Sequence, residues 1–263
     1  MHLLRVADRA ALTMGAVWRF SLQPRRLISL GIRIADYIRF AYVHDGERVS
    51  PHFPDGNFIN HFKAYKFAAQ LCRGVVLDIG CGTGYGTDHL AEYSKKIIGI
   101  DYSKAALRFA RNRYRASNLE FVLMNAESLE FPDRTFDFII STENFEHLPN
   151  QSKAAGEMAR VLKPEGFCLL ATPNPEAFVS VPPNPHHTHE LTFDELKEVF
   201  TPLFKDVEIL ENSLTPKQSR GIIANGSLTV FGKSLDITHL SNTHSFFCFL
   251  KNPNYVRPLS LCS

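Results

Sequence analysis

A doubly wound α/β fold with a mainly parallel sheet is predicted by three observations. Short apolar runs alternate with helix-spaced segments from Val75 onward. The first run, Val75-Val76-Leu77-Asp78-Ile79, has the continuous apolar character of a strand covered on both faces. It then breaks into four glycines within seven residues, Gly80 to Gly86, a backbone able to turn tightly and to let a ligand come close.

Residues 1–43 form a distinct basic extension. They hold seven arginines, no lysine and two acids, and Leu27, Leu30, Ile34, Ile38 and Ala41 recur at helical spacing after Pro24. Three readings stay open: a helical arm on the domain or a partner, a helix lying on an anionic membrane surface, or an organelle transit peptide. Val43 to Asn57 reads as loop. Asn60 to Leu71 reads as a helix with Phe62, Tyr65 and Ala69 on one face, placed to act as a lid over the glycine loop or to cover a sheet edge.

Beyond the glycines, a helix can open at Thr87. Lys96 to Asp101 is a second buried strand ending in an acid, and Ser103 caps a helix running to about Ala116. Leu119–Met124 and Phe136–Ser141 follow as strands, then a Gln151–Leu162 helix, a Lys163-Pro164-Glu165-Gly166 turn and a Phe167–Ala171 strand. Thr192-Phe193-Asp194-Glu195 is a capping box for a helix to Phe200. Val207–Leu210 and Ser245–Leu250 close the domain, which is expected over residues 44–250. Residues 211–243 are an inserted cap or loop, and 251–263 a tail.

Composition excludes several classes. Net charge is +2, which leaves no global footprint for nucleic acid. Five cysteines without a C-x-x-C pair point to reduced thiols and a cytoplasmic setting. No apolar run is long enough to span a bilayer.

The glycine loop fails as a dinucleotide fingerprint, because the sixth position is Tyr85 counted from Gly80 and Thr87 counted from Gly82. No P-loop lysine follows it. S-adenosylmethionine fits better. Asp78 would help to hold its cationic methionine end, Asp101 would accept from both ribose hydroxyls, and Asn125-Ala126-Glu127 would meet the adenine edge.

Asp78-Ile79-Gly80-Cys81-Gly82-Thr83-Gly84, followed by Asp101, Asn125-Ala126-Glu127, Phe136-Asp137 and Arg160 to Gly166, resembles the class I S-adenosylmethionine-dependent methyltransferases over residues 60 to 250. The resemblance implies a Rossmann-like seven-stranded sheet with an antiparallel last strand. It also implies a cofactor-binding set of Asp78, Gly80, Cys81, Gly82, Gly84, Asp101, Tyr102, Asn125, Ala126, Glu127 and Ser141. Asn125 stands where many relatives carry Asp, and its oxygen can still accept from an adenine amino group.

Two clusters are candidates for the acceptor side. Glu143-Asn144-Phe145-Glu146-His147-Leu148 follows the fourth strand, and Asn184-Pro185-His186-His187-Thr188-His189-Glu190 follows the fifth, so both fall at strand carboxyl ends. An acceptor hydroxyl needs deprotonation, which His147 or His187 could perform as general base. A divalent metal on Glu143, Glu146, His147 and His187 could instead lower the hydroxyl's pKa. That pattern looks like metal-assisted relatives that methylate small-RNA 2′-hydroxyls or quinone precursors. Glu-His-Leu after the fourth strand is also similar to metal-free members, where the histidine packs or orients a helix, and His186 and His189 could simply be solvated. His61 to Ala69 with Asn184 to Glu190 looks like bacterial methyltransferases of surface-polysaccharide gene sets. The expectation is O-methylation of a small-molecule, sugar or glycolipid hydroxyl. RNA or quinone-precursor methylation and a non-catalytic cofactor-binding protein are the alternatives.

Overall fold

The computed structural model describes residues 56–178, 184–211, 223–224, 227–230, 233–236 and 245–254, so the basic extension 1–43 lies outside the described residues. Five helices are described: α1 (Gly56–Ala68), α2 (Tyr85–Ala91), α3 (Lys104–Arg113), α4 (Gln151–Val161) and α5 (Phe193–Phe200). Ten strands are described. β1 to β5 are Val75–Ile79, Lys96–Asp101, Leu119–Leu123, Phe136–Thr142 and Leu162–Pro173. β6 to β10 are Phe204–Glu211, Ile223–Ala224, Ser227–Val230, Lys233–Asp236 and Ser245–Pro253.

Seven strands form one sheet in the order β3-β2-β1-β4-β5-β10-β6. β1 pairs in parallel with both β2 and β4, and β10 lies antiparallel between β5 and β6. This is the expected Rossmann-like sheet with its antiparallel last strand. The order reverses at β1, so the carboxyl ends of β1 and β4 flank the crevice where ligands bind in such sheets.

Alternation along the strands divides the core in two. Leu77, Ile79 and Ile139 face a layer made by α4 and α5, with Ala155, Met158, Leu196 and Phe200 buried in it. Val76, Phe138 and Ile140 face the opposite layer, where α1 contributes Phe67 and Ala68 and α2 contributes Leu90. Phe67 meets Phe247 and Phe249 of β10 edge to face. Fully burying an aliphatic or phenyl side chain is worth about 1.5–3 kcal/mol, so both layers stabilise the sheet.

Two expectations need correction. Lys163 to Gly166 is no separate turn, because β5 already begins at Leu162. Phe136 faces Leu162 and Phe138 faces Phe167, so extra residues bulge from β5 there. Leu162 is fully buried and Lys163 Nζ reaches Asp137 at 2.8 Å, which anchors the segment to β4. The second correction is to boundaries: α1 begins at Gly56 and ends at Ala68, and β10 runs on to Pro253. Within the expected insertion, β7, β8 and β9 form a small antiparallel sheet. Leu235 of β9 is buried against the α1 layer.

Candidate active site

The glycine loop leaves β1 in left-handed conformations that L side chains resist, with φ of 77° at Gly80, 53° at Gly82 and 84° at Gly84. The Gly80 and Cys81 N–H groups both donate to the Ile100 carbonyl at 2.9 Å, tying the loop to β2. A Cβ at Gly80 would strike Asn144 at 2.2 Å and one at Gly84 would strike Ala110 and Phe121 at 2.7 Å, whereas one at Gly82 would meet nothing within 4 Å. The loop therefore presents open space at Gly82, as a cradle for a closely approaching ligand requires. Cys81 serves by its backbone: its side chain is buried with Leu107, Ala110 and Phe121, against Gly99.

Asp101 closes β2. One carboxylate oxygen accepts from Gly82 N–H at 2.9 Å and the other from Ser103 N–H at 2.8 Å. Each oxygen keeps a second lone pair, so the side chain is fixed and still able to accept. Tyr102 beside it is 73% exposed. Asn125 Oδ1 accepts from Glu127 N–H at 2.9 Å, which shapes the loop after β3. Glu127 Oε1 accepts from Asn150 N–H at 2.9 Å, at the start of α4. Ala126 is buried behind them. Ser141 is buried, and its hydroxyl accepts from Asn144 Nδ2 at 3.3 Å.

Asp78 is fully buried beneath the loop. It accepts from Thr87 Oγ1 at 2.6 Å and from Tyr65 Oη at 3.1 Å. Burial pushes its carboxyl up to about 7, against the two hydroxyl donors, which pull it down. Tyr65 and Thr87 carry no motif and were not foreseen; only the placement of Tyr65 on the helix facing the loop hinted at it.

The two acceptor-side clusters come together. Thr188 N–H donates to the Glu146 carbonyl at 2.8 Å, Thr188 Oγ1 to the His147 carbonyl at 3.2 Å, and Gln151 Nε2 to the His189 carbonyl at 2.8 Å. These bonds fasten the histidine loop onto the segment after β4. The rings of His147 and His187 meet edge to face with centroids 4.8 Å apart.

His147 Nδ1 lies 3.0 Å from the His186 carbonyl, which can only accept, so Nδ1 carries a proton and, in the neutral ring, Nε2 is the acceptor. Nε2 lies 3.8 Å from Glu146 Oε1. His187 Nδ1 pairs with the Glu190 carboxylate, and its Nε2 lies 3.0 Å from Asn184 Nδ2. Glu146, His147 and His187 each offer a ligand atom, all within 4.8 Å of one another. His186 and His189 stay exposed, and His189 pairs with Glu195 at 3.1 Å.

Glu143 does not join that trio. Its backbone takes φ 46°, unusual for a side chain other than glycine, and Oε1 accepts from Ser245 Oγ at 2.9 Å. Glu146 accepts from Thr172 Oγ1 at 3.0 Å. Burial pushes Glu143 up to about 7, against the Ser245 hydroxyl, and Glu146 well above the carboxylate range; Glu190 adds to both and Glu143 adds to Glu146. Ser245 and Thr172 were missed because they reach the cluster from distant strands.

Residues 77–170 match the family described as Methyltransferase domain. A protein of Mycolicibacterium smegmatis named as a probable S-adenosylmethionine-dependent methyltransferase is 36% identical over 169 residues, covering 62% of this chain and 65% of that one. A phthiotriol/phenolphthiotriol dimycocerosates methyltransferase of Mycobacterium ulcerans is 28% identical, covering 60% of each chain. A fatty-acid O-methyltransferase of Mycolicibacterium smegmatis is 35% identical over 38% of this chain and 37% of its own. The chain thus spans less than two thirds of the length of these relatives. In fold it is similar to the methyltransferase solved with the Trm112 activator of Haloferax volcanii, with a TM-score of 0.58, 20% identity, and coverage of 76% of this chain and 93% of that one. Residues 77–170 thus carry a methyltransferase-domain match, and the glycine loop, Asp101 and the β3-β2-β1-β4-β5-β10-β6 sheet around them have the class I S-adenosylmethionine-dependent methyltransferase pattern.

Proposed function

We propose that the chain is an S-adenosylmethionine-dependent O-methyltransferase acting on a neutral hydroxyl of a small amphiphilic, sugar or glycolipid acceptor. The observation that carries the reading is the acid–imidazole cluster at the carboxyl ends of β4 and β5, where the His147 Nδ1 contact with the His186 carbonyl leaves Nε2 of the neutral ring to accept a proton. The cofactor supplies a methyl group already activated on a sulfonium. The chain's part is to bind, align and deprotonate. Asp101 accepts from the ribose hydroxyls, the loop at Gly82 lets the ligand lie close, and the turn of Asn125 to Glu127 borders the adenine. His147 takes the acceptor's proton at Nε2, while His187, fixed by Glu190, packs edge-on against its ring.

The base bears on the acceptor class. A carboxylic acid is ionised at neutral pH and needs no base. A hydroxyl needs one. The names of the relatives, one acting on fatty acids and one on phthiotriol dimycocerosates, support an amphiphilic acceptor over a nucleic acid.

A second reading has one observation in its favour. The convergence of Glu146, His147 and His187 within 4.8 Å fits a divalent cation with one carboxylate and two imidazole ligands. Such an ion would lower the acceptor's pKa. The second shell suits it, since both Nδ1 atoms are tied to oxygen partners. His187 Nε2 would have to exchange its contact with Asn184 for the metal.

The test is turnover on hydroxylated lipids, glycolipids, free sugars and fatty acids, read as the mass gain of one methyl replacing a hydrogen. Methylation of a hydroxyl acceptor, slowed about a hundredfold or more in His147→Ala, is expected. Turnover on carboxylates alone, unaffected by His147→Ala, contradicts the reading. Loss of activity with chelator, restored by a divalent cation, favours the metal form.

A further inference from the structure

Tyr65 stands on α1, outside the β1–α2 cradle, yet its hydroxyl reaches Asp78 at 3.1 and 3.3 Å. The reach depends on a glycine. A Cβ at Gly86, in the first turn of α2, would lie 2.1 Å from the Tyr65 ring, so only a residue without a side chain lets the ring pass. Aromatic neighbours hold the approach in place: Phe58 meets Tyr85 at 5.1 Å and Tyr65 meets Tyr85 at 5.7 Å between ring centroids, both edge to face.

The groups acting on Asp78 come from α1, α2, β2 and the loops beside them, and Thr142 of β4 bonds to the Tyr65 hydroxyl. Tyr65 is on α1, Thr87 on α2, Asp101 on β2, Cys72 follows α1 and Cys81 lies in the loop. None of them is a cation. Asp78 is therefore a buried carboxylate with two hydroxyl donors and no counter-charge among these neighbours. A buried charge is costly unless it is paired and hydrogen-bonded. A ligand with a cationic end is the missing partner.

We infer that Tyr65 is a positioning residue for the cofactor: docked through the space left by Gly86, its hydroxyl holds the Asp78 carboxylate beneath the glycine loop, so that the cofactor's cationic end meets a fixed negative charge only while α1 is in place. This makes α1 part of the binding site rather than a cover for the sheet, and it rests on the cofactor assignment above. Burial keeps the Tyr65 hydroxyl protonated, since desolvation and Asp78 both push it up, so it donates throughout the accessible pH range.

The experiment titrates the full chain with S-adenosylhomocysteine, which keeps the cationic amino group, from about pH 6 to about pH 9. Wild-type affinity is expected to weaken as pH falls through about 7, where Asp78 gains its proton. Removing a donor to the charged form raises a carboxyl pKa. Tyr65→Phe is therefore expected to bind about tenfold more weakly near neutrality. Its affinity should fall away at a higher pH than in the wild type and approach wild type at the alkaline end. Thr87→Val removes the other donor without touching α1 and should move the profile the same way, whereas Thr87→Ser should restore it. A merely structural role predicts a uniform loss at every pH, and that result, or profiles that coincide, overturns the inference. No binding by the wild type at any pH would instead overturn the cofactor assignment itself.

Discussion

At the residue scale, Asp101 has one structural duty and one proposed one. It is the expected ribose acceptor, and its two oxygens already accept from the Gly82 and Ser103 N–H groups. Asp101→Ala should therefore lower both cofactor affinity and stability, the latter by about 1–3 kcal/mol, because two backbone donors lose their acceptor. Calorimetric titration and denaturant unfolding read the two losses separately. Asp101→Asn keeps one accepting oxygen and should recover part of both. At His147 a loss of turnover without a matching loss of cofactor affinity is expected. His147→Ala should reduce kcat by about 10²–10⁴, the usual contribution of a general base. An equal loss of cofactor affinity would show that the imidazole holds the site together instead. The positions of Asp78 and Asp101 at strand ends, and of His147 in the segment after β4, were legible from motif order, while their roles are proposals. The sequence left Tyr65 and Thr87 silent, because a hydroxyl that donates to a buried acid has no fixed spacing from it.

At the element scale, local patterns were legible where local physics decides them. The α5 start is one case: Thr192 accepts from Glu195 N–H at 3.4 Å and Glu195 accepts from Thr192 N–H at 2.8 Å, the reciprocal bonds of the predicted capping box. The glycine loop is another. Gly80→Ala puts a Cβ at φ 77° and 2.2 Å from the Asn144 side chain. It should cost at least about 1 kcal/mol from the left-handed conformation alone. It should also displace Asn144, which sits in the acceptor-side segment. Thermal unfolding together with cofactor titration measures this, and an unchanged midpoint would contradict the described backbone. The β5 start was misread, since Lys163-Pro164-Glu165-Gly166 has turn composition. The pairing of Leu162 with Phe136 and of Lys163 with Asp137 is tertiary, and it overrode that composition.

Across the whole molecule, the acidic cluster depends on contacts no local pattern encodes. Ser245 reaches Glu143 across 102 residues of chain, and Thr172 reaches Glu146 from β5. The basic extension and most of the late insertion stay outside the described residues. Among the described residues no helix is long and apolar enough to cross a membrane. Three buried or half-buried acids, Asp78, Glu143 and Glu146, all have raised pKa values through desolvation. An acid raised in the folded state binds more protons there than in the unfolded chain. Stability therefore falls as pH rises from the unfolded value towards the folded one. Ligand-free protein should accordingly melt at a lower temperature near pH 7 than near pH 5, the interval between the ordinary carboxyl range and those raised values. A cation bound at either site should narrow the gap. A melting temperature that rises over that interval would contradict the burial of these acids.

The crevice at the carboxyl ends of β1 and β4, with Asp101 beside it at the end of β2, is the proposed cofactor cradle. Titration of the full chain with S-adenosylhomocysteine tests it most directly, with wild type and Asp101→Asn compared at one pH and equal folded fraction. Saturable one-to-one binding by wild type, weakened about tenfold or more in the variant, is the predicted result. Absence of binding in wild type, or equal affinity in both, would contradict it.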